Sequence, residues 1–401
     1  MNHGANQGSA HAATDEASHD CDALFVLSAF GVGGSEKKVA RVLTALLSRG
    51  ASPAICALGP PYTLSSALPQ SARAWRLDRD SRISLRTLGR LRDVLLKLRP
   101  RTVFAVDLFA LLYVAIALRM AGLRDTRRVV LINTTDFVRR RDRLFMNGYA
   151  YLLRHSDLLV FGSFRQRDAW QRRYRLAGVP NVVIHNGVDA AHFTRSPSLS
   201  AQAAREQAGI AATRFVIGTV GRIAPEKNYA ALVRALARLR GEGLDVHLLI
   251  VGDGPLREAI QTEARVLGMS GFVTLAGEVS DIRPLLTAMS VFALPSAVET
   301  FSNAALEAMA MSLPVVLTDT GGAREMVSDG CEGFVVPVGD EQSLHGALRA
   351  LCVDSASLHA MGRAARARVE KEFAFERMVA AYRAIISRPG NADGCDIVTC
   401  K

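Results

Sequence analysis

Arg222 and Lys227 lie five residues apart in Val220-Gly221-Arg222-Ile223-Ala224-Pro225-Glu226-Lys227-Asn228, directly after an apolar run. At the carboxyl end of a strand, two such cations can converge on one pyrophosphate. A departing diphosphate carries negative charge that a metal ion, or fixed cations and oriented N–H groups, must meet. No Asp-x-Asp pair stands beside them, so the expected site works through cations and holds no metal. The plainer reading is a surface Arg and a surface Lys.

Glu299 and Glu307, eight residues apart, follow a second apolar run and Pro295-Ser296. Glu299 falls in a loop, and Glu307 inside a helix for which Ser302 is a suitable N-cap. A carboxylate accepts two hydrogen bonds, which suits adjacent hydroxyls of a ribose or hexose. First-turn N–H groups near Phe301, Ser302 and Asn303 lack partners within the helix and can hold a phosphate or sugar oxygen. Apolar neighbours such as Ala305 and Leu306 make Glu307 costly to bury without a partner. Otherwise the two are ordinary loop and helix charges. Gly33-Gly34-Ser35-Glu36 opens a helix after the first apolar run. Glycine lets backbone approach an anion, and a helix N-terminus offers N–H groups and a positive dipole end. A plain strand-to-helix turn favours the same residues.

Strands must end where these residues begin. Val/Leu/Ile-rich runs at 23–28, 53–58, 102–106, 129–133, 158–162 and 182–185 alternate with helical patterns at 35–48, 84–98, 108–121, 140–154 and 164–176. A polar stretch, roughly 190–200, breaks the pattern. It resumes with strands at 215–220, 246–251, 272–275, 291–294 and 314–318, and helices at 228–240, 255–267, 302–311 and 341–353. Helices near 355–370 and 374–387 follow without a further strand. Near-continuous apolar strands alternating with helices predict parallel sheets covered on both faces. The fold class is therefore α/β, with two Rossmann-like doubly wound domains, which are expected to face each other across a cleft. The expected division is a disordered tail over 1–22, domains over 23–192 and 200–372, a helix over 373–390, and a flexible tail over 391–401.

The apolar run from Leu108 to Leu118 is shorter than the roughly 20 residues that span a bilayer and predicts a buried helix. The first twenty residues lack the apolar stretch of a secretory signal, and the six cysteines lack metal-ligand spacing. Both point to a cytoplasmic chain with reduced thiols. Residues 1–195 carry 29 Lys/Arg against 15 Asp/Glu, whereas 196–401 carry 20 against 23. Arg139, Arg140, Arg141 and Arg143 form one cluster; Arg165, Arg167, Arg172, Arg173 and Arg175 form another. These are either solvated helix faces or a surface for an anionic partner such as a membrane or a diphosphate-linked acceptor. No aromatic interleaving or binding module points to nucleic acid.

Taken in order, Gly33-Gly34-Ser35-Glu36, His185-Asn186-Gly187-Val188-Asp189, the Arg222/Lys227 segment, Gly252-Asp253-Gly254-Pro255 and the Glu299/Glu307 helix resemble the family-4, or group 1, retaining glycosyltransferases of GT-B fold. The resemblance covers nearly the whole chain. It implies that Arg222 and Lys227 grip the donor diphosphate, Glu307 binds the ribose and Glu299 contacts the donor sugar. Thr300, Phe301, Ser302 and Asn303 match the loop holding the sugar and distal phosphate. Val279 falls where backbone frames the base, Gly252 joins the donor-binding set, and Gly33 and Gly34 match the loop that closes over the diphosphate. Asp189 reads as a local cap in a turn. Thr135 stands where many relatives carry His, leaving Asp136 as the acceptor-side candidate, and Thr300 and Ser302 replace two glycines of the family pattern.

The resemblance implies transfer of a hexosyl-type sugar, with retention, from a UDP- or GDP-type donor to a glycan, lipid-linked or other anionic acceptor. The first domain would bind acceptor and the second nucleotide sugar, and the last helix would cross back to the first domain. No cofactor is expected, since the nucleotide sugar is a substrate. The location is cytoplasmic, with peripheral contact at the inner face of an anionic membrane through the basic first domain. Two alternatives differ in what they release: an epimerase or phosphorylase of the same fold, and a non-catalytic membrane- or polymer-binding module. An epimerase makes a new sugar nucleotide without acceptor; the module binds anionic vesicles and releases no nucleotide.

Overall fold

A computed structural model describes residues 21–31, 33–133 and 146–387. Asp136, Thr135, the cluster Arg139–Arg143, Cys395, Cys400 and nearly all of both expected tails lie outside them. Cys21 is already buried and Asp22 accepts the Ser52 N–H (2.7 Å), so those two residues belong to the folded chain rather than to the tail.

The described residues form two all-parallel sheets. The first comprises β1 (Ala23–Leu27), β2 (Pro53–Ala57), β3 (Arg73–Arg76), β4 (Thr102–Ala105), β5 (Arg127–Ile132), β6 (Leu158–Phe161) and β7 (Asn181–Val183), in spatial order β3-β2-β1-β4-β5-β6-β7. The second comprises β8 (Phe215–Val220), β9 (Val246–Val251), β10 (Val273–Gly277), β11 (Val291–Leu294), β12 (Val315–Thr318) and β13 (Gly333–Val336), in order β10-β9-β8-β11-β12-β13. In each sheet the order reverses beside its first strand, between β1 and β4 and between β8 and β11. Loops leaving the two strands diverge there, and the crevice at their carboxyl ends is where such sheets bind ligands.

The two strands that the apolar pattern did not predict, β3 and β13, are both edges. β3 reads Arg-Ala-Trp-Arg, with half-buried and exposed positions alternating. An edge strand has one neighbour and tolerates charge, so no apolar run marks it. Among the described residues three short α-helices, Ala201–Gln207, Arg283–Ala288 and Ala323–Met326, also lie outside the predicted elements; none is long enough to show a helical period.

Alternate residues of β1 feed opposite layers, as the pleat requires. Leu24 and Val26 pack with Leu91, Leu95, Leu111 and Val114 on one face. Phe25 and Leu27 pack with Val39, Leu43 and Leu46 on the other, where Phe25 stacks on Phe104 at 4.5 Å. The last helix, Phe375–Ser387, adds Met378, Val379, Tyr382, Ile385 and Ile386 to this second layer. The last described helix thus packs against the first sheet. Gly187 permits the crossing: a Cβ there would meet the Phe375 Cα at 2.9 Å, and Val188 exchanges backbone hydrogen bonds with Phe373 and Phe375.

The helix Leu108–Ala121 holds the long apolar run and is capped by Asp107, whose Oδ1 accepts the Ala110 N–H at 2.8 Å. Among the described residues no helix is long and apolar enough to cross a membrane.

Candidate functional site

The loops after β8, β9 and β10 are packed so closely that glycine is required at one junction. Gly252, at φ +128°, donates its N–H to the Gly277 carbonyl (2.7 Å), and the Gly221 carbonyl fills the space a Cβ would need. The Ile223 N–H donates to the Asp253 carbonyl (2.9 Å), so the segment bearing both cations is held at its base. A single 3-10 turn, Pro225–Lys227, then aims the side chain of Lys227. The Ala297 N–H donates to the Glu226 carbonyl (2.8 Å) and ties this turn to the loop after β11. The result is an ion pair across the switch point, Lys227 Nζ to Glu299 Oε2 at 2.6 Å. Arg222 is 70% exposed and pairs with Glu226 at 3.0 Å. The two cations share the cleft but do not converge on one point in this conformation.

Ser302 caps the helix Asn303–Ala310 as predicted, its Oγ accepting the Ala305 N–H at 3.2 Å. Glu307 lies on that helix, nearly buried, with Arg41 of the first domain 3.7 Å away. Burial pushes its carboxyl above the usual range, against the opposing charges of Arg41 and Lys37.

Across the cleft, the helix Gly34–Leu47 begins at Gly33 with no side-chain cap, and the Cβ position of Gly34 lies 3.6 Å from the Asn303 amide nitrogen. Half-buried Lys38 donates to the Asn133 Oδ1 at 3.2 Å. Burial lowers its ammonium to about 8. The Asn133 carbonyl in turn accepts the Thr300 hydroxyl at 3.4 Å. A chain of polar contacts therefore runs from Lys38 through Asn133, Thr300 and Glu299 to Lys227.

One cleft of about 960 Å³ takes in Gly33, Gly34, Arg222, Lys227, Gly252, Val279, Glu299, Thr300, Phe301, Ser302, Asn303 and Glu307. These are all the expected site residues except Asp136, which lies outside the described residues. Lys37, Lys38, Arg41 and Asn133 line it too and were missed. The signal existed for two of them: Gly34, Lys38 and Arg41 are spaced i, i+4, i+7, one face of a helix. Asp189 accepts the N–H groups of Ala191 and His192 (3.0 Å each), the local cap expected. Arg165 of the second arginine cluster pairs with Asp319 of the second sheet's loops. Among the described residues no group of His, Cys, Asp and Glu is placed to hold a metal.

Two doubly wound domains with a ligand-sized cleft between the carboxyl ends of their sheets define the GT-B architecture. A crystal structure of Anabaena HepE in complex with UDP superposes with a TM-score of 0.79 at 22% identity, covering 91% of this chain and 99% of that one. Residues 214–354 match the family model of glycosyl transferases group 1, and residues 32–192 that of glycosyltransferase family 4. The chain belongs to this family. The lipopolysaccharide core biosynthesis glycosyltransferase LpsE of Rhizobium meliloti is 31% identical over 172 residues, 43% of this chain and 49% of that protein. The GDP-mannose-dependent alpha-(1-6)-phosphatidylinositol monomannoside mannosyltransferase of Mycolicibacterium smegmatis is 36% identical over 223 residues, 53% of this chain and 57% of that protein. The chain thus spans about half the length of these curated relatives.

Proposed function

We propose that this chain is a glycosyltransferase that moves a hexosyl-type sugar from a UDP- or GDP-linked donor to a glycan or lipid-linked acceptor, with retention. The observation that carries the reading is the meeting of Lys227, Glu299, Glu307 and the open start of helix Asn303–Ala310 at the β8/β11 switch point. UDP bound in the HepE structure, and relatives named for lipopolysaccharide and phosphatidylinositol mannoside synthesis, support the donor and acceptor classes.

In this reading Glu307 and Glu299 take hydroxyls of the ribose and the donor sugar. The Lys227 ammonium has three N–H donors and directs one at Glu299, leaving two for phosphate oxygens. Arg222 swings from Glu226 to join it. The bond from the anomeric carbon to the phosphate oxygen breaks, and the bond to the acceptor oxygen forms on the same face. The acceptor proton passes to the departing phosphate oxygen, whose charge Lys227, Arg222 and the helix N–H groups stabilise. The positive charge comes from these side chains, so the reading calls for no metal and no cofactor.

We also place the chain in the cytoplasm, peripheral at an anionic membrane. Exposed Ile83, Leu85, Leu96, Ile116 and Met120 support this, because they lie on or just before helices Leu85–Leu98 and Leu108–Ala121 beside exposed Arg86, Lys97 and Arg119.

A thermal-shift screen over UDP- and GDP-sugars, followed by transfer to lipid-linked and soluble acceptors, tests the reading. A donor held at 100 times its dissociation constant adds about 2.7 kcal/mol of stability. No shift with any nucleotide sugar, or a product of inverted configuration, would reject it.

A further inference from the structure

Glu325, on the short helix Ala323–Met326 of the second domain, does not line the cleft yet makes three hydrogen bonds into the first domain. Its Oε2 accepts the Phe164 N–H at 2.9 Å and its Oε1 the Arg165 N–H at 2.9 Å, which are the first amides of helix Phe164–Tyr174. Its Oε2 also faces His185 Nε2 at 2.8 Å, so that nitrogen carries the proton. A carboxylate at a helix start meets both orphan N–H groups and the positive dipole end. Burial acts to raise the Glu325 carboxyl, but His185 and the two amides outweigh it and hold it below the usual range.

His185 and the turn that carries Glu325 also touch the donor loop. The His185 ring stacks on Phe301 at 4.7 Å, and the next residue, Asn186, donates its Nδ2 to the Phe301 carbonyl at 2.8 Å. On the other side, the turn leading into the Glu325 helix grips the same loop. The Gly322 N–H donates to the Thr300 carbonyl at 2.7 Å, and Gly321 (φ +47°) has the carbonyls of Glu299 and Thr300 where a Cβ would go. Phe301 is buried between the two domains and also meets Phe373 at 5.4 Å.

We infer that Glu325 and His185 are positioning residues: their pair locks the two domains at Phe301 and thereby sets the backbone of Glu299–Ser302 for donor. The inference rests on the proposed function, since it assigns that loop to the donor. Its physical basis is that one loop is clamped between two elements which only domain closure brings together. Opening the clamp frees Phe301, and with it the placement of Glu299 and of the Ser302 helix start.

Amide hydrogen exchange on the full chain tests it without any substrate. The variants are Glu325→Ala, His185→Ala, His185→Gln, which keeps a donor but loses the ring, and His185→Phe, which keeps the ring but loses the bond. Glu325→Ala and His185→Ala are expected to speed exchange at residues 300–303 by roughly tenfold or more, as for loss of a charged hydrogen bond. The amides of Val246–Val251 should stay as in the parent, and the Gln and Phe variants should fall between. Unchanged exchange in the loop, or an equal rise throughout the chain, overturns the inference. With a donor found by the thermal-shift screen, kcat should fall in step with loop exchange while the KM for acceptor stays. If no donor is found, the proposed function fails, and the exchange pattern still decides the clamp.

Discussion

Lys227 Nζ lies 2.6 Å from Glu299 Oε2, joining the loop after β8 to the loop after β11. Under the proposed function, the pair holds the cation assigned to the donor phosphates against the carboxylate assigned to the donor sugar. Substituting Lys227 should therefore strike turnover. Lys227→Ala is expected to lower kcat by about 10²–10³, the loss of one fixed donor to a developing charge. The fold should barely notice, because both side chains retain some exposure and such pairs contribute about 1 kcal/mol or less. Initial rates and a thermal melt separate the two effects. Near-parent turnover removes Lys227 from the chemistry.

Arg222 differs in being largely exposed, and its ion-pair partner among the described residues is Glu226. Arg222→Ala should leave stability within about 0.5 kcal/mol, the usual range for a surface site. Its kcat should still fall by more than about tenfold if the guanidinium swings onto the diphosphate. A parent-like kcat would mean that it stays with Glu226.

Glu307 opposes the fold that contains it. Burial places its folded carboxyl pKa above the ordinary value, so the charged form costs stability once pH exceeds that raised pKa. Glu307→Gln should raise the melting temperature of the ligand-free chain at pH 7. The gain should shrink as pH falls through the raised pKa and vanish below the ordinary carboxylate range, where Glu307 is protonated in both states. The same substitution should weaken nucleotide binding in calorimetry, because a ribose diol loses an ionised acceptor. A stability gain without weaker binding would leave Glu307 no ligand.

Lys38 should titrate near pH 8, whereas an ordinary lysine titrates near 10.4. Carbon-13 dimethylation followed by NMR titration resolves it as a single outlying resonance. A midpoint near that of the other lysines would place the ammonium in water rather than beside Asn133.

Gly252 tests the packing of the loop bases. With φ at +128° and the Gly221 carbonyl in the Cβ position, Gly252→Ala should cost more than about 1 kcal/mol in urea unfolding. A neutral result would mean that the two loops can separate.

Much of this site was legible in the chain itself. Strands with two buried faces read as apolar runs, and β8 and β11 ended just before Gly221 and Pro295, so the loop residues could be named in advance. Ser302 announced its helix, because a hydroxyl followed by apolar residues is a local signal. Edge strand β3 left no such trace, being short and half-covered. The partners of each group were not legible either. Periodicity could not tell that Lys227 pairs with Glu299, because that contact spans 72 residues, nor that Arg222 turns away to its near neighbour Glu226 instead of joining Lys227. Nor could it find Glu325, which reads as one more helix charge until the second domain is laid against Phe164, Arg165 and His185. Local sequence decides what a segment becomes, since propensity, caps and apolar period act over a few residues. Only the closed tertiary structure decides which segments meet, since that depends on how two sheets and their loops fill the space between them.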